Sequence, residues 1–187
     1  MLKSYNGAFS ANPKIGKFYR SFLTDVEKAE RKIYRKLGIR PIPDSRVVEF
    51  ELVDKGGIPM IEATGLAKTN GDVMQIELSA RAVANNFWGL TSTQKVLTHE
   101  IVHIDMMYYG GENYQNKPRW MKEGVALWVA GQTFDNDYHK MPVEMRNGRW
   151  MSYVESITMF EEALKKNGIA NIVQYLISPP DTVVLVQ

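Results

Sequence analysis

Two of the three histidines in this 187-residue chain stand four positions apart around a glutamate, as His99-Glu100-Ile101-Val102-His103. On a helix, residues i and i+4 lie one turn apart on the same face. Two imidazoles so placed can grip one metal ion, and the glutamate between them can reach a water on that ion. The chemistry such a set supports is metal-assisted hydrolysis. A catalytic zinc takes three protein ligands and keeps one position open, so a third ligand is needed. The segment Trp120-Met121-Lys122-Glu123-Gly124-Val125-Ala126 offers Glu123, twenty residues after His103. A helix end, a tight connection and a first helical turn fill that span, so an antiparallel partner helix can return Glu123 to the histidines. The competing reading of Glu123 is an exposed helix glutamate.

These residues need a scaffold, and hydrophobic periodicity outlines one. From Pro13 to Leu37 apolar residues recur at helical spacing (Phe18, Phe22, Val26, Ala29, Ile33, Leu37), which predicts a long amphipathic helix ended by Gly38 and Pro41. Val47 to Val53 alternates, with Val48, Phe50 and Leu52 on one face of a half-buried strand. Residues 60–67 give a weaker strand, Asn70-Gly71 signals a hairpin turn, and Val73 to Ser79 alternates again. The expectation is a small antiparallel sheet ahead of the motif. Thr91 with Gln94 makes a capping box for a helix that Gly110-Gly111 closes, and the H-E-x-x-H falls in its middle. Pro118 suits the first turn of a helix running to about Gly131, and residues 132–149 read as a loop. Ser152 with Glu155 caps a further helix (stripe Tyr153, Ile157, Phe160, Leu164) that ends at Asn167-Gly168, and a short helix follows near 170–177. The fold class is α+β, an antiparallel-containing sheet packed on helices. An N-terminal amphipathic helix region covers 1–44, and 45–187 carries the site.

Composition narrows the classes. Hydrophobic residues make up 44% and charged residues 24%, which is globular rather than disordered. The net charge of +2 does not suggest nucleic-acid binding. Residues 14–40 carry nine Lys/Arg against Asp25, Glu27 and Glu30, a surplus read as a solvated helix face or, alternatively, as a surface for an acidic partner. That second reading lacks a platform of stacking aromatics. With no cysteine, disulfides and thiolate ligands are excluded. No apolar run is long enough to span a membrane. Met1 to Gly16 lacks the apolar stretch of a signal peptide, which favours the cytoplasm, with a secreted mature form left open. Oligomeric state has no sequence signal.

The motif, nineteen intervening residues and then glutamate resemble the gluzincin clan of zinc metallopeptidases. The surrounding W-x-x-E-G-x-A, Trp120 to Ala126, is similar to that of small gluzincin-like peptidases, including the minigluzincins. The likeness covers about residues 45–177 and is strongest at 99–103 and 120–126. It implies a zincin-like catalytic domain, a peptide or protein substrate, Zn2+ held by His99, His103 and Glu123, and Glu100 as the general base. It also implies that an edge strand beside the cleft pairs with extended substrate, a role that Gln75 to Ser79 resembles; the alternative is an ordinary sheet strand. Charge on the tetrahedral intermediate calls for an oxyanion donor. Tyr153 and His139 are the candidates, with a core aromatic as the alternative reading of Tyr153.

The sequence departs from the family in places. Thermolysin-like gluzincins carry an acid four residues after the ligand glutamate to orient a ligand histidine; here Leu127 stands there, so that support must come from elsewhere. Asp105 follows the motif, but its helical phase predicts a surface position. The G-x-M-E-N of the aminopeptidase branch is missing ahead of His99, which favours an endopeptidase or a processing enzyme of narrow specificity. The apolar tail after Pro179-Pro180 is expected to add a strand, to join the core, or to lie in the cleft and hold the enzyme latent. The alternative function is a catalytically silent zinc-binding regulatory or interaction module; an intact Glu100 argues against it.

Overall fold

A computed structural model describes residues 2–4, 6–8, 10–43, 46–54, 65–70, 73–85, 92–132 and 148–179. Helix α1 runs Pro13–Leu37, the predicted span. Asn12 caps it by accepting from the Lys14 N–H, Pro13 occupies the first turn, where its missing donor costs nothing, and the Gly38 N–H closes it on the Tyr34 carbonyl. Its buried face is Ile15, Phe18, Phe22, Ala29, Ile33 and Leu37, with Val26 partly buried beside them.

Strands β1 (Val48–Val53), β2 (Gly65–Asn70) and β3 (Val73–Ser79) form one sheet in the order β1-β3-β2. β2 and β3 are the expected antiparallel pair, with Asn70 opposite Val73. β1, however, pairs with β3 in parallel, so the sheet is mixed rather than antiparallel. The hairpin is a local decision, whereas the long connection from β1 to β2 lets β1 take the far side of β3. Register aligns the apolar faces: Phe50 lies opposite Ile76 and Leu52 opposite Leu78, all four buried against the helices. The other face is polar, with Gln75 Nε2 donating to Glu51 Oε2 at 2.9 Å and Lys68 paired with Glu77.

Two short helices went unpredicted, α2 (Ala80–Asn85) after β3 and the single turn α4 (Glu112–Gln115). Helix α3 (Thr93–Gly110) carries the motif. Its N-cap is Ser92, whose hydroxyl accepts from the Lys95 N–H, in place of the predicted Thr91–Gln94 box; the Gln94 amide donates instead to the Asp25 carbonyl of α1. α5 spans Arg119–Ala130, α6 spans Gly148–Asn167 and α7 spans Ile169–Ile177. Because α6 begins at Gly148, Ser152 lies inside the helix and is not its cap. α3 packs against α1, α5, α7 and the sheet, and it is buried nearly all round. α1, the strands, α3, α5 and α7 share one core. His139 and residues 180–187 of the apolar tail lie outside the described residues. Among the described residues no helix is long and apolar enough to cross a membrane.

Part of the basic run on α1 has a structural use. Lys32 Nζ donates to the Ala130 carbonyl and Lys36 Nζ to the Trp128 carbonyl, each at 2.7 Å, so two ammonium groups meet the C-terminal carbonyls of α5. Lys36 also lies over the Trp128 ring, 4.1 Å from its centre. Burial lowers both lysine pKa values.

Candidate metal centre

α3 presents His99 and His103 one turn apart, and α5, packed beside it, returns Glu123 to them. His99 Nε2 and His103 Nε2 stand 3.0 Å apart. Glu123 Oε2 lies 3.4 Å from His99 Nε2 and 3.9 Å from His103 Nε2. Donors placed tetrahedrally at zinc distances of roughly 2.1 Å would be about 3.4 Å apart, and the three separations bracket that value. Among the described residues these three side chains are the group of His, Cys, Asp or Glu that could hold a metal ion.

Both imidazoles are held from behind. His99 Nδ1 donates to Gln132 Oε1 at 2.8 Å, which in the neutral ring puts the lone pair on Nε2. His103 Nδ1 lies 2.7 Å from the Tyr114 hydroxyl, which accepts from it in the tautomer that turns the Nε2 lone pair toward the shared point. Leu127, in the same helix as Glu123, offers neither imidazole a hydrogen-bond partner, and Gln132 and Tyr114 do. Leu127 itself is buried against Ile157. Gln132 reaches His99 because α5 ends in a left-handed glycine, Gly131 at φ 71°. The Gly131 and Gln132 N–H groups both bond back to the Leu127 carbonyl, and that reversal carries Gln132 under α3. Tyr114 comes from α4. Sequence reasoning found neither residue. A glutamine just past a helix-ending glycine is the faint signal for Gln132; Tyr114 carries none.

Glu100 is 7% exposed and lies against β2. A Cβ on Gly65 would sit 2.5 Å from Glu100 Oε1 and 2.7 Å from its Cγ, so a side chain here would displace this carboxylate. β2 presents small residues on the face that also carries Ile76 and Leu78 in register, namely Gly65 and Ala67. The cleft, about 350 Å³, is bounded by β2, α3, α4, α5 and Tyr153 of α6. Tyr153 is therefore in the cleft wall, where it also packs on the Leu127–Ile157 cluster. The strand expected to meet substrate needs correction. β3 is the central strand, flanked on both sides, and among the described residues β2 is the outer strand beside the cleft.

Burial and neighbouring charge set the protonation. Burial opposes a charge on His99, but the hydrogen bond to Glu123 and the charges of Glu100 and Glu123 outweigh it and raise the pKa. Burial and the adjacent His99 push His103 down to about 3, so it stays neutral. Burial works against the Glu123 carboxylate too, yet the His99 hydrogen bond and the two histidines beside it bring it down to about 2. Burial, with Glu123 and Glu100 nearby, raises Tyr114 well above the phenol range, so it stays protonated. One carboxylate, one neutral imidazole and one imidazole whose proton a cation can displace make a donor set fit for a divalent metal.

Asp105 overturns its surface expectation. It is 3% exposed, its Oδ2 has no hydrogen-bond partner among the described residues, and burial with the charge of Glu30 raises its pKa to about 8. A helix packed on several sides has no solvent face for phase to pick out.

No protein-family model, curated protein or solved structure matches the chain.

Proposed function

We propose that the chain is a zinc-dependent metallopeptidase of the gluzincin kind, an endopeptidase or a processing enzyme of narrow specificity. The observation that carries this reading is the convergence of His99, His103 and Glu123 in one cleft with Glu100. His99 Nε2, His103 Nε2 and Glu123 Oε2 would hold the ion. Zinc bound there supplies a Lewis acid that polarises the scissile carbonyl and lets water deprotonate near neutral pH. Glu100 takes the proton of the attacking water and passes it to the leaving amine. Gln132 and Tyr114 fix the two imidazoles in the ligating tautomer. Tyr153 is assigned to the carbonyl oxygen as it gains charge. β2, as the outer strand, is the edge on which extended substrate pairs.

The test is cleavage of an undigested peptide mixture by zinc-loaded wild type and zinc-loaded Glu100→Ala, read by mass spectrometry. Cuts by wild type alone are expected, with the variant slower by orders of magnitude. Equal cutting by both would refute Glu100 as the base and the metallopeptidase reading with it, and cutting by neither would leave a non-hydrolytic zinc module in its place.

A further inference from the structure

α5 supplies more than Glu123 to the cleft. Arg119, one turn before Glu123 on the same helical face, and Lys122, its immediate predecessor, both line the cavity. The acids lining it are Glu100 and Glu123, and both already have tasks at the metal centre. Arg119 is exposed at the rim and makes no ion pair among the described residues. Its charge is the smallest of the influences that lower the Glu123 pKa, as suits an exposed side chain facing solvent. Lys122 Nζ donates to the Gln115 carbonyl at 2.7 Å, which fixes its position without cancelling its charge. Arg119 also opens α5, whose N-cap Pro118 has no side-chain acceptor, so the helix's positive end adds to the same wall. A guanidinium fork and an ammonium at the cleft edge match an anionic ligand group, and the one an unmodified peptide carries is a carboxylate.

We infer that Arg119 and Lys122 form an anion subsite, and that the preferred substrates are peptides carrying a carboxylate close to the scissile bond. This rests on the metallopeptidase reading. The carboxylate belongs either to an Asp or Glu side chain or to the substrate's own C-terminus.

The experiment uses three short peptide hydroxamates, which anchor on the metal and are not cleaved. They end in glutamine amide (neutral), glutamate amide (acidic side chain) or glutamine free acid (C-terminal carboxylate). Binding to the zinc-loaded full chain is measured by calorimetry. One acidic probe should bind about tenfold tighter than the neutral one, the ratio expected of a charge-assisted pair at a half-open site. The acidic probe that gains identifies the source of the carboxylate. The advantage should shrink at high salt and vanish in Arg119→Gln/Lys122→Gln, while the neutral probe binds that variant as it binds wild type. Equal affinity of all three probes overturns the subsite and leaves the metal centre standing, as does an advantage that survives in the double variant. Failure of every probe to bind overturns the metal centre and the subsite together.

Discussion

Replacing Asp105 by asparagine should remove a pH dependence of stability that the wild type carries. In the folded chain the carboxyl titrates at about 8, because burial disfavours its charge and Glu30 of α1 adds to the penalty. In the unfolded chain it returns to the ordinary aspartate value of 3.8. The folded pKa is the higher one, so its contribution to stability is fully present below pH 3.8 and is lost as pH rises toward 8. Each pKa unit is worth about 1.4 kcal/mol, so the loss between pH 4 and pH 8 is on the order of 5 kcal/mol at most. Water entry and local relaxation reduce that figure, and about 2–5 kcal/mol is the range to expect. The assay is urea unfolding followed by circular dichroism at pH 5 and pH 8, without metal, for wild type and Asp105→Asn. The asparagine adds its own fixed cost for an unpaired buried amide, which is the same at both pH values. His99 and His103 titrate in both proteins, so the difference between them isolates Asp105. Relative to wild type, the variant should gain about 2 kcal/mol or more between pH 5 and pH 8. Parallel curves for the two proteins would show that Asp105 is paired or solvated and would refute the reasoning.

Gln132→Ala leaves the His99 Nδ1–H without its acceptor, and zinc affinity should fall roughly 10–100-fold in competition with a chromophoric chelator; an unchanged affinity would remove Gln132 from the site. Gly65→Ala pushes into the Glu100 carboxylate, so turnover of a peptide cut by wild type should drop at least about tenfold at unchanged zinc content. Wild-type turnover in that variant would mean that Glu100 has room to spare. Gly124→Ala would bring a Cβ to 2.7 Å from the Ser156 carbonyl and 3.0 Å from Phe160 Cγ, forcing α5 and α6 apart. Overpacking of this kind costs about 1–3 kcal/mol, or several degrees in Tm by calorimetry, and an unshifted Tm would contradict the packing.

Some of this architecture was legible in the residues and some was not, for physical reasons. α1 was readable end to end because its stripe, its Asn12-Pro13 start and its Gly38 stop all act locally. The juxtaposition of His99, His103 and Glu123 followed from helical spacing and one short return. The parallel pairing of β1 with β3 was not legible, since alternation records which face is buried and not which neighbour a strand takes. For the same reason β3 was mistaken for an edge. The burial of Asp105 depends on how many elements surround α3, a tertiary fact with no trace in its own sequence. Gln132 and Tyr114 reach the histidines through a helix-ending reversal and a single helical turn, contacts that span 33 and 11 residues.

The most direct test of the metal centre is the zinc content of the purified chain after loading and exhaustive desalting, measured by atomic absorption for wild type, His103→Ala, Glu123→Ala and Glu100→Ala. One zinc per chain is expected in wild type and in Glu100→Ala, with loss of the ion in the two ligand variants. A wild type that retains no zinc, or ligand variants that retain it as well as wild type, would contradict a metal held by His99, His103 and Glu123.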